Sequence, residues 1–116
     1  MKKEDCIFCK IIEGKIPSQI IFRDEKVTVF KDINPLAPIH YLIVPNQHIP
    51  SLNGVTVGDE SSLGHMFTVA RMLAEKEGIQ ESGYRVVVNN GPGAGQTVFH
   101  LHMHLLGGKQ LSNKLC

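Results

Sequence analysis

From Phe99 to Leu105 apolar residues and histidines alternate without a break, Phe99, Leu101, Met103 and Leu105 against His100, His102 and His104. Side chains of a β-strand alternate between two faces, whereas a helical period of about 3.6 residues would scatter both sets around the axis. The pattern therefore predicts a strand over 98–107, its apolar face in the core and its histidines on the other face at roughly 6.5–7 Å intervals. Half of the chain's six histidines sit in these five positions. Repulsion between adjacent imidazoles pushes at least one towards the neutral form, which is the nucleophilic one. Such a row suits attack on an electrophile, proton delivery or metal binding; the plain alternative is a half-exposed strand whose polar face is histidine. One ion held by all three is disfavoured, because residues i and i+4 of a flat strand start about 13 Å apart. Bonds of about 2.0–2.1 Å hold ligand atoms within about 4 Å of one another, so a bulge would be needed.

The rest of the chain supplies a sheet for this strand. The segment Ile7 to Ile12 is apolar at helical spacing and closed by Gly14 and Pro17, which predicts a short N-terminal helix. QIIFRD and KVTVFKD are β-branched and aromatic runs separated by Asp24-Glu25-Lys26, an antiparallel hairpin; HYLIVP and YRVVVN read as two further strands. Over 60–77, Leu63, Met66, Phe67, Ala70, Leu73 and Ala74 recur at i, i+3, i+4, i+7 spacing. One amphipathic helix follows, capped by Asp59 or Ser61 and ended by Gly78. His65 falls off its apolar face and reads as a solvated surface histidine. Strands outnumber helices, so the class is α+β. With 116 residues and no repeat or linker, a single domain over 1–116 is expected.

Composition removes several functions. A net charge of +1, with no basic run beyond two lysines at the N-terminus, gives no footprint for duplex nucleic acid or anionic membrane. No stretch approaches the roughly 18 apolar residues of a spanning helix, and MKKEDCIFCK lacks the apolar segment of a secretory signal. A cytoplasmic protein that binds neither nucleic acid nor membrane is expected. Three cysteines, an odd number, do not suggest a disulfide scaffold. Cys116 is a tail residue of no evident role. Cys6 and Cys9 have zinc-knuckle spacing, with His48 and His100 available as nitrogen ligands. The alternatives are two small core residues or a redox pair, and the latter lacks its βαβ setting.

Just before the histidines, NNGPGAGQT offers Gly91, Gly93 and Gly95, which permit positive φ and close backbone approach. Such a loop can present amide groups to phosphate oxygens, or be a flexible turn.

QTVFHLHMHLLGG, with APIHYLIVPNQHI upstream, resembles the histidine-triad (HIT) superfamily, whose motif is His-x-His-x-His-x-x with x apolar, and most of all its Hint branch of purine nucleoside phosphoramidases. The resemblance runs from Cys6 to Gly108. It implies a five-stranded antiparallel sheet with one long helix and a short N-terminal helix, paired in a homodimer into ten strands. It also implies a hydrolase that binds a purine nucleotide such as AMP or GMP. By position, His102 would be the nucleophile that attacks the α-phosphorus and is transiently nucleotidylated, His100 and His104 the flanking members, and His40 the fourth histidine of the relay. Asn89, Gln96 and Thr97 match phosphate-side positions, Thr97 standing where the Hint pattern usually has serine. Asp32 matches the acid that binds the ribose hydroxyls; by itself it reads as a turn aspartate before Asn34-Pro35. Ile7, Phe8, Ile11, Phe30 and Ile33 match the apolar base pocket. Similar proteins carry a structural zinc on the residues matching Cys6, Cys9, His48 and His100, while other Hint members lack it. Beside the hydrolase stand two other readings, a nucleotide-binding scaffold with incidental turnover and a hydrolase whose zinc activates water.

Overall fold

A computed structural model describes residues 3–114. The strands are β1 (Ile20–Arg23), β2 (Val27–Lys31), β3 (Ile39–Pro45), β4 (Tyr84–Val87) and β5 (Met103–Gly107), with helices α1 (Ile7–Ile12) and α2 (Glu60–Lys76). They form one antiparallel sheet in the order β1-β2-β3-β5-β4. The hairpin between β1 and β2 is set by Asp24, whose Oδ1 accepts the amides of Lys26 and Val27 at 2.8 and 2.9 Å.

Both faces of the sheet are covered, which is why β2 and β3 read as nearly continuous apolar runs. Val27, Val29, Tyr41, Ile43, Met103 and Leu105 pack with Met66, Val69, Ala70 and Leu73 of α2. Full burial of each Met, Val or Leu stabilises by roughly 1.5–3 kcal/mol. On the opposite face Phe30, Leu42 and Val44 pack with Cys6, Phe8, Cys9 and Ile11 at α1. In register, Phe30, Leu42 and His104 stand side by side across β2, β3 and β5. The histidine of the ladder thus lies on the α1 face.

At the end of β5 the backbone comes close to its neighbours. A Cβ on Gly107 would meet Ile79 Cδ1 at 2.5 Å.

Several expectations need correction. The fifth strand begins at Met103 and not at 98, so residues 98–102 are irregular; the Leu101 amide donates to the Ile49 carbonyl at 2.7 Å and not to a sheet ladder. Phe99 is only half-buried and belongs to neither core cluster. Phe67 is 58% exposed, because the buried stripe of α2 runs through Met66, Val69, Ala70, Leu73 and Ala74 and leaves Phe67 about 100° away from Met66. Asp59 occupies the cap position of α2, but its carboxylate accepts from the Thr56 amide at 2.9 Å, and Ser61 lies inside the helix. His65 is half-buried and donates from Nε2 to Asp24 Oδ2 at 2.6 Å, because the β1–β2 turn reaches α2 there. Cys116 lies outside the described residues.

Candidate active site

Leaving the pleat at 98–102 lets the three histidines diverge. His100 is fully buried and turns onto the thiols of α1, its Nδ1 standing 3.4 Å from Cys6 Sγ and 3.5 Å from Cys9 Sγ. His104 meets His40, Nδ1 to Nε2, at 2.9 Å. His102 lies between them, edge-on to Phe8 with ring centroids 5.1 Å apart.

Hydrogen bonds assign a proton to each ring. The Pro45 carbonyl can only accept, so His100 Nε2 at 2.8 Å carries the proton and Nδ1 offers its lone pair to the thiol group. The His100 carbonyl likewise holds the His102 Nδ1 proton at 2.8 Å, which leaves a lone pair on Nε2. At His40 the order is reversed. The Leu36 amide donates to Nδ1 at 3.1 Å, so the proton sits on Nε2 and is donated to His104 Nδ1. His104 in turn carries its proton on Nε2.

Burial dominates the electrostatics. It pushes the His100 imidazole down to about 4 against the Pro45 hydrogen bond, helped by His48 and His102. It does the same at His104, also down to about 4, with His102 and His40 adding to it and Asp32 opposing. His102 and His40 are lowered by burial as well, and Asp32 opposes at both. The neutral form anticipated from repulsion is thus present, and desolvation is its main cause.

Two groups of ligand atoms converge within 4.8 Å, Cys6, Cys9, His48 and His100 in one and Asp32, His40 and His104 in the other. In the first, Cys9 Sγ to His48 Nδ1 is 3.4 Å and His48 Nδ1 to His100 Nδ1 is 3.3 Å. A tetrahedral ion bonded at about 2.3 Å to sulfur and about 2.0–2.1 Å to nitrogen has S···N edges of about 3.6 Å and N···N edges of about 3.3 Å. The donor set fits such an ion, and the lone pair of His100 already points into it. In the second group an ion would need the His40 Nε2 lone pair where the Leu36 amide places a proton. That group is a hydrogen-bonded cluster, with His40 Nε2 between His104 and Asp32. The thiols do not suit redox chemistry either, since burial and the Cys6 thiol push Cys9 up to about 11, opposite to the depressed thiol of a reactive pair.

Between α1 and the sheet opens a cavity of about 360 Å³. Its wall is apolar at Phe8, Ile11 and Phe30, and its polar end carries Asp32, His102 and His104.

A HIT domain family model matches residues 13–111. The chain belongs to the HIT family. It is 52% identical to the purine nucleoside phosphoramidase of Escherichia coli K12 over 97% of this chain and 94% of that one. A HIT family hydrolase from Legionella pneumophila superposes with a TM-score of 0.91 at 45% identity, covering 93% of this chain and 96% of the other. The histidine triad nucleotide-binding protein of Candida albicans gives 0.79 at 34%, covering 94% and 85%.

In this HIT protein the cavity brings together Ile7, Phe8, Ile11, Phe30, Asp32, Ile33, Thr97, His102 and His104. Asn89 does not line it. Gln96 is buried with its side chain spent on the chain itself, donating to the Pro50 and Val98 carbonyls and accepting the Gly91 amide at 2.8 Å. The glycine loop closes on itself in the same way, the amides of Ala94, Gly95 and Gln96 bonding to carbonyls of Gly91 and Pro92. It is an ordered turn, in which those three amides are taken up by the chain itself. Leu42, Val98, Ile16 and Lys31 also line the cavity and were not anticipated. Leu42 was findable, because pairing Phe30 with Leu42 and Leu42 with His104 puts all three on one face.

Proposed function

We propose that this HIT protein is a nucleoside phosphoramidase, a nucleotidyl hydrolase that cleaves the bond to the α-phosphate of purine nucleoside phosphoramidates. The observation that carries the reading is the His102 tautomer, Nδ1–H tied to the His100 carbonyl and Nε2 left with its lone pair on a ring that lines the cavity. Nε2 attacks the α-phosphorus, an N–P bond forms, and the P–N bond of the substrate breaks with its electron pair going to the amine, which takes a proton from solvent. Water then cleaves the nucleotidyl-histidine to release a nucleoside monophosphate such as AMP or GMP and restore His102. His104, its Nδ1 filled by the His40 proton, presents Nε2–H to the phosphoryl oxygens where charge develops. His40 holds that orientation, and His100 fixes the backbone carbonyl that orients His102.

The base lies among Ile7, Phe8, Ile11, Phe30 and Ile33, with the ribose diol at Asp32 and Thr97 beside the phosphate. Cys6, Cys9, His48 and His100 would hold a zinc ion. With four protein ligands the ion would have a structural role and not a water-activating one, and it would pin His100 beside the nucleophile. Among the described residues no helix is long and apolar enough to cross a membrane; a cytoplasmic setting would keep both thiols reduced for the metal. The sheet ends at β4, where Tyr84 is exposed, and pairing of two such edges would make a homodimer.

Mass spectrometry of protein quenched during turnover of adenosine 5′-phosphoramidate tests the reaction. A nucleotidyl adduct on His102 is expected. Turnover without an adduct on any histidine would remove the covalent path, and nucleotide binding without turnover would leave a scaffold.

A further inference from the structure

The proton on His40 Nε2 has two acceptors within reach. His104 Nδ1 is at 2.9 Å, and Asp32 Oδ2 is at 3.3 Å. Both are held in place, Asp32 because its Oδ1 accepts the Asn34 amide at 2.8 Å, and His40 because the Leu36 amide fixes its Nδ1. The His40 side chain is 2% exposed, so water offers little competition. A carboxylate is a stronger acceptor than a neutral imidazole nitrogen, and this one faces the cavity with lone pairs to spare. Whatever donates to Asp32 from the cavity therefore weakens its hold on the His40 proton.

Resting on the reading that Asp32 meets the ribose, we propose that Asp32 is also a positioning residue. A bare carboxylate draws the His40 proton away from His104, and a vicinal diol bound to the carboxylate returns it. With the diol in place His40 donates wholly to His104, and the Nε2–H of His104 is held for the phosphoryl group. Without it the His40 proton is shared between His104 and Asp32, and the anchor on His104 is weaker. The carboxylate reaches further than His40 alone, since it also opposes the burial that lowers His104. The consequence is discrimination at the chemical step. Nucleotides lacking the cis-diol bind in the cavity yet react slowly, so the sugar is read in kcat as well as in KM.

The test compares adenosine 5′-phosphoramidate with its 2′,3′-dideoxy analogue in the wild type, Asp32→Asn and Asp32→Ala. Asn keeps an oxygen for the Asn34 amide but has no second acceptor for His40, so it guards against a disordered turn in the alanine variant. In the wild type the dideoxy substrate should lose about tenfold in kcat besides its rise in KM. In both variants the two substrates should share one kcat within about twofold. A spectroscopic readout stands apart from activity. The imidazole N–H signal of His40, assigned by its loss in His40→Asn, should shift with AMP and not with 2′,3′-dideoxy-AMP. Equal kcat for both substrates in the wild type, or equal His40 shifts with both nucleotides, overturns the inference even if the protein is a phosphoramidase. Failure to hydrolyse either phosphoramidate, with a diol-dependent shift of His40, would overturn the proposed reaction and leave the coupling in place.

Discussion

Acid should unfold this protein through its buried imidazoles, and His104 is the one whose share can be isolated. Its imidazole is pushed from 6.5 down to about 4, first by burial and then by His102 and His40, with Asp32 opposing. An unfolded chain takes up that proton near 6.5, the folded one only near 4. Between those values the unfolded state holds one proton more, so stability falls as pH falls, by about 1.4 kcal/mol per pH unit for one such group. The contribution is complete above the unfolded value, erodes on descending through the window and is spent below the folded value. From pH 6.5 to 5 it amounts to roughly 2 kcal/mol, a large share of a typical stability of about 5–15 kcal/mol. Urea denaturation of wild type and His104→Gln at half-unit steps from pH 7 to 5 measures it. The variant should be less steep by about 1.4 kcal/mol per pH unit. His104 is no part of the thiol group, so zinc-loaded and chelated protein should show the same difference. Parallel stability curves for the two proteins would refute the assignment of a neutral, burial-shifted His104.

Replacing His102 with alanine should abolish turnover while AMP binding stays within about tenfold, because it removes the covalent path and few ground-state contacts; more than a few percent of kcat in pure mutant would sink the nucleophile. Purified protein should carry about one zinc per chain, and removing it should lower the melting temperature while activity of still-folded protein falls only modestly. Folded but inactive apo protein, rescued by zinc, would move catalysis onto the metal, and metal-free protein from zinc-replete expression would return the cysteines to core packing. Gly107→Ala should cost about 1–3 kcal/mol in urea unfolding, since its Cβ meets Ile79 in a packed site, and the same change should cost less in an Ile79→Ala background. An unchanged midpoint would show that Ile79 gives way freely.

The alternation at 99–105 carried most of the site and misread its geometry, for one physical reason. A period of two reports an extended backbone; it does not report whether that backbone has partners. Leu101, Met103 and Leu105 are buried as the pattern requires, yet only Met103 and Leu105 belong to β5, because the Leu101 amide goes to Ile49. Local pattern was sufficient where burial alone decides, as in β2 and β3 between the two clusters and in α1 on one of them. It failed where a distant partner decides, as at His65 with Asp24 and at Gln96, whose amide is consumed by Pro50 and Val98. The thiol group shows the same limit from the other side. The spacing of Cys6 and Cys9 suggested a ligand pair, but their meeting with His100 spans 94 residues and depends on Phe30, Leu42 and Val44 seating α1 against the sheet. On a regular strand the three imidazoles would point the same way and do one job three times. Ending the ladder at Met103 lets adjacent histidines serve three jobs: a lone pair for the thiol group from His100, a lone pair at the cavity from His102, and from His104 an Nε2–H whose ring is oriented by the hydrogen bond that His40 donates to Nδ1.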